Sequence, residues 1–255
     1  VIPFLNMPGM GEVMAAMEAG RPPSGHWPAS AVEAAVAFGY GTWASAWLCD
    51  EASGNLADSI GAVTLSPAAT PAYRQPGAFA GDYAVAADSS TDDFTAASSA
   101  TYDITTSGQI AFYACMKFPA AQADYLIGKH GGTGGYYAVR LDASGFLHLE
   151  TFDGTTTRTS SVNANHVTGG FVDILAMVDR DGGIQKLATN LGVSSDTSIA
   201  AAASMTGTGV VRFSLAITAN FPSVAYAAVA NAGVADLRGN AATAITNIRR
   251  FTGRG

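Results

Sequence analysis

Ile110-Ala111-Phe112-Tyr113-Ala114-Cys115-Met116-Lys117-Phe118 is the stretch whose reading decides the fold. Ile110, Phe112, Ala114, Met116 and Phe118 occupy every second position, the period of a β-strand with one face in a core. The alternation returns in Tyr137, Val139 and Leu141, in Leu147, Leu149 and Thr151, in Val172, Ile174, Ala176 and Val178, and in Val211, Phe213, Leu215 and Ile217. Turn chemistry separates the runs: Asp142-Ala143-Ser144-Gly145, Asp153-Gly154 and Asp181-Gly182-Gly183. Nothing of helical length lies between them, which excludes a parallel β-α-β architecture and predicts half-buried antiparallel strands. From Thr42 onward the pattern is all-β, a two-sheet antiparallel sandwich of jelly-roll type.

The N-terminal segment follows a different period. Met7, Met10, Met14 and Met17 recur at steps of 3, 4 and 3, which predicts a helix from about Pro8 to Ala19, ended by Gly20 and Pro22-Pro23. A second short helix is expected over Ala29 to Phe38, ending at Gly39. The chain thus divides into a helical N-terminal arm, residues 1–40, and a sandwich domain, residues 41–255. A methionine stripe either folds back on its own domain or, being adaptable, docks on other protein subunits. The second reading makes Met7, Met10, Met14 and Met17 partner-docking residues in a homo-oligomer or hetero-assembly.

Composition narrows the function. Of 255 residues, 48% are hydrophobic and 13% charged, with a formal net charge of -7. The charged share is about half of the roughly 25% usual in soluble domains, and a net negative chain lacks the basic footprint of a nucleic-acid or anionic-membrane binder. The one basic cluster, Arg249, Arg250 and Arg254, reads as a solvated tail. No apolar run reaches membrane-span length, and the opening Val-Ile-Pro-Phe-Leu lacks the positive region of a signal peptide. Cys49 and Cys115 stand in apolar runs, as two buried thiols or one bridge between neighbouring strands.

Catalytic constellations are missing from the pattern. A glycosidase would need paired carboxylates across the scissile bond, yet Glu150 has no acidic residue two positions away, and the other four glutamates are Glu12, Glu18, Glu33 and Glu51. His26, His130, His148 and His166 are dispersed, without a nucleophile elbow or zinc spacing. Gly128-Lys129-His130-Gly131-Gly132-Thr133-Gly134-Gly135 departs from the order of a phosphate loop and reads as a flexible hairpin loop. Calcium is the one cofactor the residues admit, on Asp58, Asp88 and Asp92. A glycan would need an aromatic platform beside acidic residues, which selects Tyr136, Tyr137, Asp92 and Asp93 as ligand-binding candidates, with Tyr83 and Phe94 as a second platform.

Several segments resemble the laminin-G-like, concanavalin A-like jelly roll, across roughly Gly41 to Phe251. Trp47 to Asn55 followed by Asp58-Ser59-Ile60-Gly61 looks like that family's opening strand and "D-x-x-G" loop. Pro76-Gly77-Ala78-Phe79-Ala80-Gly81 with Asp92-Asp93-Phe94 is similar to its "G-x-F-G... D-D-Y" segment, and Phe112 to Lys117 to its "F-T-I-S-x-W-x-K" strand. Phe221 to Ala235 resembles its late strand, although Ala225-Tyr226 replaces the usual acidic pair. The resemblance implies a sandwich that binds or adheres rather than catalyses. Plain sandwiches of this kind behind a short arm look like decoration or tail accessory proteins of tailed bacteriophages, which would place the chain on a virion surface. The alternative is an extracellular or cell-surface lectin.

Overall fold

The computed structural model describes residues 26–87, 93–96, 102–130, 132–214 and 222–254. Strands are numbered along the chain and pair antiparallel in two sheets. The first sheet runs β13 (Gly192–Val193), β12 (Ile184–Thr189), β11 (Phe171–Asp179), β6 (Gln109–Lys117), β16 (Ser223–Ala232), β4 (Tyr83–Ala86), β3 (Ala72–Pro76), with β1 (Thr42–Trp47) beside β16 and β14 (Thr197–Ser198) beside β12. The second runs β10 (Thr157–Val162), β9 (Leu147–Phe152), β8 (Tyr136–Leu141), β7 (Asp124–His130), β15 (Val210–Ser214), β5 (Asp93–Ala96), β2 (Ser66–Pro67). This is the all-β sandwich that the alternating runs predict.

Between the sheets, Ile110, Phe112, Ala114 and Met116 of β6 meet Ile174 and Val178 of β11, Val139 of β8, Leu149 of β9 and Phe213 of β15 in one core. The residues in between do not face water. Ala111, Tyr113 and Cys115 enter a second core under three helices, α1 (Ala31–Phe38), α2 (Val234–Gly239) and α3 (Ala241–Phe251). The central strands of the first sheet are therefore buried on both faces, where the sequence predicts half-burial. The cover over β6 comes from segments distant in the chain, which no local period reports.

The helix α1 lies where the sequence places it. Ser30 accepts the Glu33 N–H at 3.2 Å as N-cap, and Gly39, at φ 77°, takes the left-handed cap conformation. Its buried face, Ala34, Ala37 and Phe38, packs onto the first sheet, with Phe38 stacked on Trp43 at 3.9 Å. Trp27 stacks on Tyr226 at 4.7 Å, and the Tyr226 hydroxyl donates to the Pro28 carbonyl at 3.1 Å. Packing thus crosses the expected boundary at 40/41: residues 26–40 are one side of the second core. Met7, Met10, Met14 and Met17 lie outside the described residues.

The C-terminal arginines correct the sequence reading. Ala244, Ile245, Ile248 and Phe251 recur at helical spacing and are buried against the first sheet. That fold-back carries Arg249 and Arg254 onto Asp173, which is fully buried: Arg249 reaches Oδ2 at 2.8 Å and Arg254 reaches Oδ1 at 2.7 Å. Arg254 is also 4.5 Å over the ring of Trp27, so the C-terminal arginine and the first described tryptophan hold each other. Arg250 alone of the three is exposed. Both cysteines are free and buried, Cys49 between the sheets and Cys115 under the helices. They lie on opposite faces of the first sheet.

The glycine-rich segment is packed rather than a free loop. Strand β7 runs through Gly128 to His130, with Lys129 pointing inward to pair with Asp103. Beyond it, Gly132, Gly134 and Gly135 lie against residues 205–209, and Gly134 bridges Gly207. A Cβ on Gly207 would run into the Gly135 carbonyl oxygen, so two backbones approach here as only glycines allow.

Candidate functional site

Alternation along β8 and β9, and along β7 on either side of one bulge, gives these strands an outward face opposite the core. Tyr137, Val139 and Leu141 point inward on β8, which leaves Tyr136 and Arg140 outside. On β9, Leu147 and Leu149 point inward and His148, Glu150 and Phe152 outward. A register shift between Tyr125 and Ile127 puts Leu126 and Ile127 both in the core and turns Tyr125 outward, on the same side as His130.

These side chains form one connected surface. The rings of Phe152, Tyr136, Tyr125 and His130 follow one another at centroid distances of 5.3, 5.7 and 5.3 Å. Tyr125 donates its hydroxyl to Glu150 Oε2 at 3.0 Å, so Tyr136, 3.0 Å away, donates to the Tyr125 oxygen. Burial and these hydrogen bonds push the Tyr125 phenol well above its ordinary range. Arg140 closes the chain by donating to Glu150 Oε1 at 2.8 Å. Toward one edge, His148 bonds Asp142 at 2.9 Å and Ser161 at 2.7 Å. Toward the other, Arg212 of β15 pairs with Asp93 of β5 at 3.3 Å. Burial, then the nearby Arg212 charge, drops the His130 imidazole to about 4 and keeps it neutral at physiological pH.

The face presents three half-exposed aromatic rings, Phe152, Tyr136 and Tyr125, beside fixed donors and acceptors, with His130 and Glu150 buried behind them. Flat apolar ring surface beside oriented polar groups suits a ligand that is itself amphipathic, with apolar faces and hydroxyl rims. Its carboxylates are already engaged, Glu150 by Arg140 and Tyr125, Asp93 by Arg212, and Asp142 by His148.

The residues selected from sequence separate on the structure. Tyr136 and Asp93 share this outward face. Tyr137 does not: it is fully buried between the sheets, its ring 5.5 Å from Phe112 and its hydroxyl donating to the Tyr102 carbonyl. Adjacent strand residues point to opposite sides, so a Tyr-Tyr pair can give a surface only one of its rings. Phe94 is likewise a core residue, and Tyr83 stands exposed on the first sheet. Asp88 and Asp92 lie outside the described residues. Asp58 works as a loop staple: Oδ1 accepts the N–H groups of Ala46, Ile60 and Gly61 and Oδ2 that of Val63. Four amides thus occupy the carboxylate offered to calcium, and no group of three or more His, Cys, Asp or Glu placed to hold a metal occurs among the described residues. Sequence reasoning missed Tyr125, Arg140, Phe152 and Arg212. The alternation of β9 already put Phe152 on the side of Glu150, whereas the bulge at Tyr125 has no sequence signal.

No protein-family model matches this chain, and no curated protein matches it. Among solved structures, the binding domain of Paraclostridial Mosquitocidal Protein 1 is similar with a TM-score of 0.60 and 9% identity, over 80% of this chain and 52% of that one. The botulinum neurotoxin serotype G binding domain gives a TM-score of 0.60 and 12% identity, over 77% of this chain and 49% of that one. The botulinum neurotoxin serotype D ligand binding domain in complex with N-acetylneuraminic acid gives 0.57 and 9%, over 80% and 51%. The chain therefore spans about half the length of each, and the similarity establishes a shared β-sandwich fold.

Proposed function

We propose that this chain is a non-enzymatic binding module that lays an extended glycan across the outward face of its second sheet. The observation that carries this reading is the row of half-exposed rings Phe152–Tyr136–Tyr125, backed by the buried His130 and flanked by Glu150 and Arg140. Sugar rings stack their apolar faces on aromatic side chains, while fixed carboxylate and guanidinium groups orient the hydroxyls. An open row fits several units of a polymer better than one small molecule. Carboxylates tied to neighbouring cations suit binding more than proton transfer, which needs an acid or base free to reach the reacting group. A ligand binding domain that shares this fold over about half of its length is described in complex with N-acetylneuraminic acid, a sugar.

The test is a glycan array followed by calorimetry on the strongest hit. Tyr136→Ala should weaken binding at least about fivefold, since aromatic stacking on one ring is worth about 1–3 kcal/mol by analogy with stacked bases, and leave the melting temperature within a few degrees. Unchanged affinity in Tyr136→Ala would refute this placement of the site.

The module's setting is a second part of the proposal: display on a larger assembly, as a phage virion decoration or tail accessory protein or on another extracellular surface. Its support is the sequence resemblance together with the low 13% charge, which suits surfaces buried against neighbours. Light scattering on the intact chain tests it, with an oligomer expected and a monomer at all concentrations counting against it.

A further inference from the structure

A cleft of about 300 Å3 opens on the side of the first sheet, away from the glycan face. Trp27, Phe79 and Tyr83 give it aromatic walls, and Asp50 and Asp82 give it two carboxylates. Asp82 is held from behind, its Oδ1 accepting Trp27 Nε1 at 2.9 Å and its Oδ2 accepting the Ala78 N–H at 2.7 Å. Asp50 is exposed and forms no hydrogen bond or ion pair with the described residues. No lysine or arginine lines the cleft. Tyr83 is 42% exposed, and Arg74 lies 5.5 Å from its ring centroid.

We propose that this cleft binds an ammonium group, with Asp50 and Asp82 as its counter-charges and the rings of Phe79 and Tyr83 as its walls. The chemistry is that of an aromatic cage: ring faces are electronegative, a methylated ammonium is weakly hydrated, and carboxylates at the rim set the sign of the charge accepted. Asp82 shows what is missing. Burial without a facing cation pushes its carboxyl up to about 6, the Trp27 and Ala78 hydrogen bonds and the more distant Arg254 only partly opposing this. A bound cation supplies the absent counter-charge. The other titratable or charged groups about the cleft are His26, which lines it and lies 3.7 Å from Glu33, Arg74 over the ring of Tyr83, and Arg254, which pairs with Asp173 and lies over the ring of Trp27.

The experiment is an NMR titration of the full chain with choline chloride at fixed ionic strength, beside its uncharged isostere 3,3-dimethyl-1-butanol. The Trp27 indole N–H, which donates to Asp82, is the reporter. A saturable shift with choline and none with the isostere is expected. Asp50→Asn should weaken choline at least fivefold without changing the melting temperature, because Asp50 supports nothing else. Moving from pH 7.5 to 5 should weaken it, as Asp82, raised to about 6, takes up its proton and leaves Asp50 as the counter-charge. No saturable shift, an equal shift with the isostere, or full affinity in Asp50→Asn overturns the proposal. Tyr136→Ala should leave choline binding untouched, so the glycan reading and this one fail separately.

Discussion

Asp173 is fully buried and faces Tyr113, Arg249 and Arg254 at once. Asp173→Ala should lower unfolding stability by about 3–5 kcal/mol in urea, because it leaves the buried Arg254 guanidinium without its counter-charge, with only neutral partners in Tyr113, Thr252 and Cys115. Arg249→Ala should cost only about 1 kcal/mol, since that side chain is 30% exposed and water screens the pair. Two other residues set an acid response of opposite sign. The His130 imidazole is held down to about 4, so between its ordinary value and pH 4 the unfolded chain binds the proton and the folded one does not. Acidification through that window therefore removes stability. Asp82, raised to about 6, takes its proton first in the folded state and adds stability as pH falls from 6 toward its ordinary range. Melting temperatures between pH 7 and 4 should fall more steeply in Asp82→Asn than in the parent protein and less steeply in His130→Asn.

Among elements, the contact between the β7–β8 connection and the segment before β15 rests on glycine. Gly207→Ala places a methyl group against the Gly135 carbonyl, and overpacking of that kind costs about 1–3 kcal/mol. Gly154, where an added Cβ would meet nothing within 4 Å but the backbone sits at φ 88°, isolates the backbone effect. Alanine there should cost about 1–2 kcal/mol from the left-handed conformation alone. Thermal denaturation of the two variants separates crowding from backbone strain, and Gly207→Ala alone should also move the signals of His130, whose carbonyl lies against Gly209 in the same contact. A run of glycines read locally suggests freedom; in the sheet it provides close packing.

For the whole molecule, the second core joins residues on both sides of position 40. Trp27, Ala34, Ala37 and Phe38 cover Trp43, Tyr113 and Tyr226 of the first sheet. A chain starting at residue 41 would expose that apolar surface, each large buried side chain contributing about 1.5–3 kcal/mol. It should lose its cooperative thermal transition or aggregate, whereas a chain starting at residue 26 keeps every one of these contacts and should unfold cooperatively. Equal stability of the two forms would show that the helical cover is dispensable.

The sequence by itself determined the strand class, the turns and the antiparallel sandwich, because alternation and turn chemistry are written in neighbouring residues. The alternation also carried part of the candidate face, placing Glu150 on the side of His148 and Phe152, although the sequence offers Tyr137 beside Tyr136 and only one ring of such a pair can point outward. Tertiary structure alone decided which strands became neighbours, and so brought Asp93 and Arg212 onto the face of Tyr136. It decided that the outer side of the first sheet is covered, that Arg249 and Arg254 are partners of Asp173 instead of a solvated tail, and that Tyr125 turns outward at a bulge. Each of those outcomes depends on residues far apart in the chain meeting in space, and a local period carries no information about such meetings.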